Sequence, residues 1–210
     1  MRKNTLLLFV LLSTVTTISA QVRFGVKGGL NFSREKYANT TEYSTNSHTF
    51  YAAGFLARLP IDKRLLLESG LYYSAEGTGE IIKSNSNPVT GVVRINRVNL
   101  PVLMQYRLPA GLFFQTGPQI GFLLKASGKY TTGDFEFTKS TNKLLFSWVG
   151  GAGFDLGKWL KGFEAEATYA PGLGKINKGT VNGGKLTGST LSVKLVYLFV
   201  AKAAKRTGDQ

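Results

Sequence analysis

Three sets of residues in this chain have types and spacings that could do chemistry. Glu164 and Glu166 are two positions apart, and on an extended strand such residues share a face at roughly 7 Å, where two carboxylates can divide acid and base roles. His48 is the single histidine, with Ser33, Ser44 and Ser47 in adjoining sequence. A serine nucleophile needs a base and an orienting acid in hydrogen-bond geometry, so this group would suit a hydrolase of lipid or peptide. The third set is larger, with Arg23, Lys27, Arg58, Arg107, Lys125 and Lys194 against Glu68, Glu76, Asp155, Glu164 and Glu166. Opposite charges in such near-equal numbers can neutralise one another inside a shared compartment. For Glu164 and Glu166, pairing with Lys27 and Lys194 is the simpler expectation, and no catalytic residue is assigned. Cysteine is absent, which excludes disulfides and thiolate metal sites. The glycines near Gly28, Gly77, Gly150 and Gly183 form no phosphate-binding loop. No metal or cofactor is expected.

The elements that must position these residues follow from the two ends of the chain and from its periodicity. Mean hydropathy is −0.02, and the one continuous apolar run, Leu6 to Leu12, follows Arg2 and Lys3 and leads to Ile18-Ser19-Ala20. That order of basic, apolar and small residues is a secretory signal, and the run is too short to span a bilayer as a helix, which takes roughly 20 apolar residues. Cleavage is predicted after Ala20, with Gln21 the first mature residue. The missing cysteine also excludes a lipoprotein anchor. Removing Arg2 and Lys3 from the 26 basic residues leaves 24 against 12 acidic. Such charge attracts nucleic acid or anionic surfaces; after export, phosphorylated lipid headgroups fit and nucleic acid does not.

From Val22 onward the dominant period is two, the signature of strands. Phe24, Val26, Leu30 and Phe32 alternate with Arg23, Lys27 and Asn31. Leu65, Leu67, Leu71, Tyr73 and Ala75 oppose Glu68, Gly70, Tyr72, Ser74 and Glu76. Leu112, Phe114, Ile120, Phe122 and Leu124 oppose Gln115, Gln119 and Lys125, while Phe163, Ala165, Ala167 and Tyr169 oppose Glu164, Glu166 and Thr168. Leu191, Val193, Leu195, Tyr197 and Phe199 oppose Thr190, Ser192 and Lys194. Thr49–Leu59, Val98–Leu108 and Leu144–Asp155 complete eight strands. Val93 and Ile95 are apolar at odd positions but Val98, Leu100, Val102 and Met104 at even ones, which a bulge or a loop end near Asn96 and Arg97 would reconcile.

Connections alternate in length. Polar stretches at Ser33–His48, Gly77–Gly91, Ser127–Lys143 and Ala170–Leu186 are long, and turns at Pro60–Lys63, Pro109–Gly111 and Leu156–Lys161 are short. Bacterial barrels with both termini in the periplasm have this segregation. The predicted fold is therefore all-β, an eight-stranded antiparallel up-and-down transmembrane β-barrel over residues 21–200, behind a signal peptide (1–20) and ahead of a basic tail (201–210). Eight strands enclose an interior just filled by side chains. A charge facing lipid at mid-depth costs about 2–4 kcal/mol, so Lys27, Arg58, Glu68, Glu76, Arg107, Lys125, Asp155, Glu164, Glu166 and Lys194 are expected to point inward as a network that plugs the lumen. Trp148, Tyr73, Tyr169 and Tyr197 suit interfacial girdles.

Phe24-Gly25-Val26-Lys27-Gly28-Gly29-Leu30-Asn31-Phe32, behind a signal ending in Ala-Gln, resembles the start of the small PorT-like outer-membrane barrels widespread in Bacteroidetes. Glu68-Ser69-Gly70-Leu71-Tyr72-Tyr73-Ser74, Val98-Asn99-Leu100-Pro101-Val102-Leu103, Gly117-Pro118-Gln119 and Gly150-Gly151-Ala152-Gly153 are similar landmarks. The resemblance implies an eight-stranded barrel in the outer membrane with no single activity; PorT itself is linked to protein secretion. Barrels of this kind often end on the terminal aromatic of the last strand, whereas here Phe199 is followed by Val200–Gln210. The expected role is structural or interactive, through the outer loops or the periplasmic face, with outer-membrane lipid including lipopolysaccharide, and a protein, as partners. Rivals are a hydrolase using His48 at the outer rim, a narrow small-solute channel, and a lipocalin-type soluble barrel.

Overall fold

A computed structural model describes residues 22–37, 43–82, 89–178 and 186–199. The signal segment, the tail, and parts of three predicted loops lie outside them. Among the described residues ten strands form, in chain order: β1 (Arg23–Tyr37), β2 (Tyr43–Asn46), β3 (His48–Pro60), β4 (Leu65–Ile82), β5 (Val89–Arg107), β6 (Leu112–Tyr130), β7 (Gly133–Glu136), β8 (Leu144–Asp155), β9 (Phe163–Pro171) and β10 (Leu186–Leu198). Eight of them close a ring. Each long strand pairs antiparallel with its neighbours in sequence, and β1 pairs with both β3 and β10. Closure removes the unsatisfied sheet edges that hydrocarbon would penalise at several kcal/mol per group. The short strands sit at one end, β2 on β4 and β7 on β6.

Outward positions are uniformly uncharged over a belt. Alternate residues from Phe24 to Phe32, Tyr51 to Leu59, Leu65 to Tyr73, Val98 to Tyr106, Leu112 to Phe122, Leu144 to Phe154, Phe163 to Tyr169 and Leu191 to Phe199 carry no Lys, Arg, Asp or Glu. Phe55 at the centre of this belt is 70% exposed. On β1, β5 and β10 the belt is nine residues long, within the roughly 9–11 residues that a strand tilted by about 45° needs to cross hydrocarbon. Trp148, inside the belt, donates its indole N–H to Thr116 Oγ1 at 2.8 Å, which satisfies a donor that lipid could not.

The long connections are shorter than the polarity of the sequence implies. Ser33–Tyr37, Gly77–Ile82, Val89–Gly91 and Ser127–Tyr130 are strand, because their alternation continues with polar residues on both faces: Ser33, Glu35, Thr78 and Glu80 are buried inside. Past the belt the outer face meets water, so hydropathy no longer marks the strand. The phase problem also resolves differently from expectation. In β5 the odd residues Val93, Ile95, Arg97, Asn99 and Leu103 all point inward, and the register shift between Asn96 and Arg97 skips Leu124 of β6. The bulge therefore lies on β6, and the interior itself changes from polar to apolar. Ala75, read as lipid-facing, is completely buried.

Candidate functional site

The interior at the end where β1 starts and β10 stops is an ionic layer whose charges come from seven of the eight ring strands. Lys27 Nζ lies 2.7 Å from Glu68 Oε1 and 3.4 Å from Glu166 Oε1. Arg58 donates from Nε to Glu68 Oε2 and from Nη1 to Glu164 Oε2, each at 2.7 Å. Arg107 closes the chain, bonding Glu164 and Asp155 Oδ2 at 3.2 Å. Lys194 reaches Glu166 at 3.9 Å and donates to Thr168 Oγ1 at 3.1 Å, while Gln115 Nε2 donates to Glu166 Oε2 at 3.0 Å. Strand alternation places each of these inward, and the ring brings them to one depth.

Two aromatic rings are laid between the charges. Lys27 and Lys194 lie 5.2 and 5.7 Å from the Tyr72 ring centre, and Arg58 and Arg107 lie 6.0 and 5.1 Å from that of Phe113. Both rings need a missing neighbour. A Cβ on Gly54 would meet Tyr72 Cβ at 2.3 Å, and one on Gly153 would meet Phe113 Cζ at 2.2 Å, so glycine is required across the strand from each ring. Tyr72 donates its hydroxyl to Gln119. The layer leaves no room for substrate beside Glu164 and Glu166, whose oxygens are taken by Arg58, Arg107, Lys27 and Gln115; a general acid or base must reach the group it serves.

Above this layer lies a tier made mostly of amide and hydroxyl groups. Asn31 Nδ2 donates to Ser74 Oγ at 2.8 Å, Ser192 Oγ to Asn31 Oδ1 at 2.8 Å, and Gln119 Nε2 to Ser147 Oγ at 3.2 Å. Glu76 sits here rather than in the ionic layer, accepting from Ser74 Oγ at 2.8 Å and Asn99 Nδ2 at 3.3 Å. Higher still, Val93, Ile95, Ala126, Leu145, Ile176 and Leu186 form an apolar cluster. Ile176 arrives from the connection after β9, whose backbone is tied to the mouth by Ile176 N–H to Leu186 O at 2.9 Å and Asn142 Nδ2 to Lys175 O at 2.7 Å.

Lys125 does not belong to the lumen. The Leu124 bulge turns its side chain outward, 55% exposed, where it pairs with Glu136 of β7 at 3.5 Å. Arg23 is also exposed, since it begins its strand at the rim, and Asp155 is half-exposed at the same end. Conversely, Glu35, Glu80 and Arg97 are buried inside without having been assigned there. Tyr130 donates to Glu80 Oε2 at 2.8 Å. Arg97 is 1% exposed and neither terminal nitrogen finds a protein acceptor; it lines, with Glu35 and Glu76, a cavity of about 20 Å³. The inward parity of Glu35, Glu80 and Arg97 with Lys27, Glu68 and Leu103 on their own strands was the available signal.

The hydrolase constellation is not assembled among the described residues. Ser33 shares a hydrogen bond with Thr190 inside the lumen at 3.1 Å. Ser44 and Ser47 are exposed, and His48, also exposed, packs its ring against Phe50 at 5.0 Å, bonded to neither serine nor carboxylate.

A family profile described as outer membrane protein beta-barrel domain matches residues 17–178. The chain belongs to this family. Its solved relatives in fold include the attachment invasion locus protein Ail of Yersinia pestis, at 13% identity, TM-score 0.51, covering 85% of this chain and 99% of that one. Neisserial surface protein A is similar at 14% identity and TM-score 0.52, covering 84% and 97%. No curated protein matches the sequence. Family, closed ring and uncharged belt together place the chain in the bacterial outer membrane.

Proposed function

We propose that this protein is a non-enzymatic barrel that works by contact, with its termini in the periplasm and its projecting strands and loops outside. The observation supporting this reading is the closure of the lumen at two depths, by the Lys27–Glu68–Arg58–Glu164–Arg107 chain at one end and the Val93–Ile95–Leu145–Ile176 cluster at the other. With the interior committed to packing, its surfaces remain for recognition. A PorT-like, secretion-associated role with a protein partner on the periplasmic face or the outer loops is the finer form of the reading, drawn from the Phe24–Phe32 resemblance and from the uninterrupted barrel. Crosslinking in native membranes from a residue in a short terminal-end turn, such as Lys63, is expected to trap one defined partner; a ladder of abundant unrelated proteins would count against it. Outer-membrane lipid is the other expected partner.

A narrow solute path is the second reading. It draws on the small cavities around Glu76, Asn99 and Gln119, which adjoin from the Lys194 level to the Arg97 level. Planar-bilayer recording separates the two: silence is expected, and resolved steps that vanish on widening Ile176 to Trp would favour the channel. The His48 hydrolase predicts altered membrane lipid or peptide products in His48→Ala cells, and unchanged products are expected.

A further inference from the structure

The outer wall of the barrel carries a trough of about 420 Å³ immediately past the uncharged belt. One wall is His48 and Tyr51 of β3, and the other is Arg94 of β5 with Ser127 and Lys129 of β6. Between the walls runs β4, where the residues opposite Arg94 and Val92 are Gly77 and Gly79, so no side chain rises to divide the space. The Arg94 guanidinium lies 5.3 Å from the Tyr51 ring centre and its Nε donates to Asn96 Oδ1 at 3.2 Å, which fixes the stem; no carboxylate pairs with it among the described residues. Lys129 meets Asp134 only loosely, at 3.9 Å with both side chains exposed, an arrangement that holds little energy.

Depth decides which anion fits. Val98 is the last belt residue of β5 and Arg94 lies four residues beyond, about 13 Å along the strand and about 9 Å along the membrane normal at a tilt near 45°. The headgroup layer spans about 5–8 Å on each side of the hydrocarbon, so a long cation reaching back from that height meets phosphate. Tyr51 stands at the boundary, where amphipathic rings are favoured. We propose that this trough binds the phosphorylated headgroup of an outer-leaflet glycolipid, with Arg94 and Lys129 on phosphate, Ser127 as a hydroxyl donor and Tyr51 against the first part of the acyl chains. Biologically the inference rests on the loop end facing outward, as proposed above; the chemistry of the trough does not.

The test is native mass spectrometry of the full chain folded in detergent, with diphosphorylated lipid A as probe. Wild type is expected to retain the lipid, and Arg94→Ala with Lys129→Ala to weaken retention at least about tenfold, as loss of charge-assisted hydrogen bonds implies. Lys139→Ala with Lys143→Ala removes equal charge from residues of the same end that do not line the trough, and is expected to change retention less than about twofold. Equal losses in both variants, or none in the first, would overturn the site. Dephosphorylated lipid A binding as well as the parent would make the association one of acyl chains alone, and displacement by millimolar inorganic phosphate would make the site one for free anion; either overturns the proposal. Each variant is first checked for the folded barrel by its heat-dependent mobility in dodecyl sulfate gels. A cysteine introduced as Thr131→Cys, in a chain without others, reports orientation through an impermeant maleimide on intact cells. Failure to label would refute the outward reading while leaving the binding result intact.

Discussion

Arg58 and Arg97 are both buried inside the same barrel, but Arg58 holds two carboxylates at 2.7 Å whereas Arg97 leaves both terminal nitrogens without a protein acceptor. At the terminal end the strands deliver opposite charges to one depth, so each ion's desolvation is offset by contacts to several partners. At the loop end the same ring delivers Val93, Ile95 and Leu145 around a guanidinium that shares a cavity with Glu35 and Glu76 but bonds neither through its terminal nitrogens. One end is therefore held by a network whose members depend on one another, and the other by dispersion and exclusion of water. The contrast teaches that a lumen of one radius can be closed by either chemistry, with different consequences when a single residue is removed.

The sharpest way to break the comparison is to neutralise one carboxylate at each end. Glu68→Gln strips Arg58 and Lys27 of their shared anion and is expected to cost about 3–5 kcal/mol, the range for breaking a buried pair, read as a shift in the urea midpoint in detergent. Glu35→Gln, at the loop end, removes a carboxylate whose Oε2 is unbonded and should change the midpoint by less than about 1 kcal/mol. Equal shifts would erase the distinction. Next in size, Leu145→Ala opens the apolar cluster and is expected to cost about 2–4 kcal/mol, with faster amide exchange confined to the loop end; exchange rising instead around Lys27 would show the two closures to be one cooperative unit. Lys194→Met should stay within about 1 kcal/mol of wild type in either direction, because Glu166 keeps Lys27 and Gln115. The smallest effect belongs to Lys125→Ala, exposed against Glu136 and worth about 0.2–1 kcal/mol. A larger loss in the same unfolding assay would return Lys125 to the interior.

Much of the ionic layer was legible as alternation. Glu164, Glu166 and Lys194 lie on short, unbroken strands whose opposite faces are greasy, so period two alone assigned them inward. Lys125 was misassigned because a single unpaired residue, Leu124, reverses facing, and nothing in the types of Phe122–Lys125 marks where the extra residue falls. Glu35 and Glu80 were hidden for another reason. Beyond the belt both faces of a strand are polar, and the hydropathy contrast that identifies a strand in lipid is gone. His48 and Ser33 show the converse: they face one another in the β1–β3 register, yet the serine bonds inside the barrel with Thr190 while the histidine packs on Phe50.

By itself the sequence determined the eight ring strands, their lipid-facing sides within the uncharged belt and the rhythm of long and short connections, because hydrocarbon imposes a period of two that any single strand must carry. Only the tertiary structure decided which charges meet, where the lumen closes, and which residues wall the Arg94 trough. Those depend on the register between strands far apart in the chain and on one bulge, and neither leaves a trace in local composition.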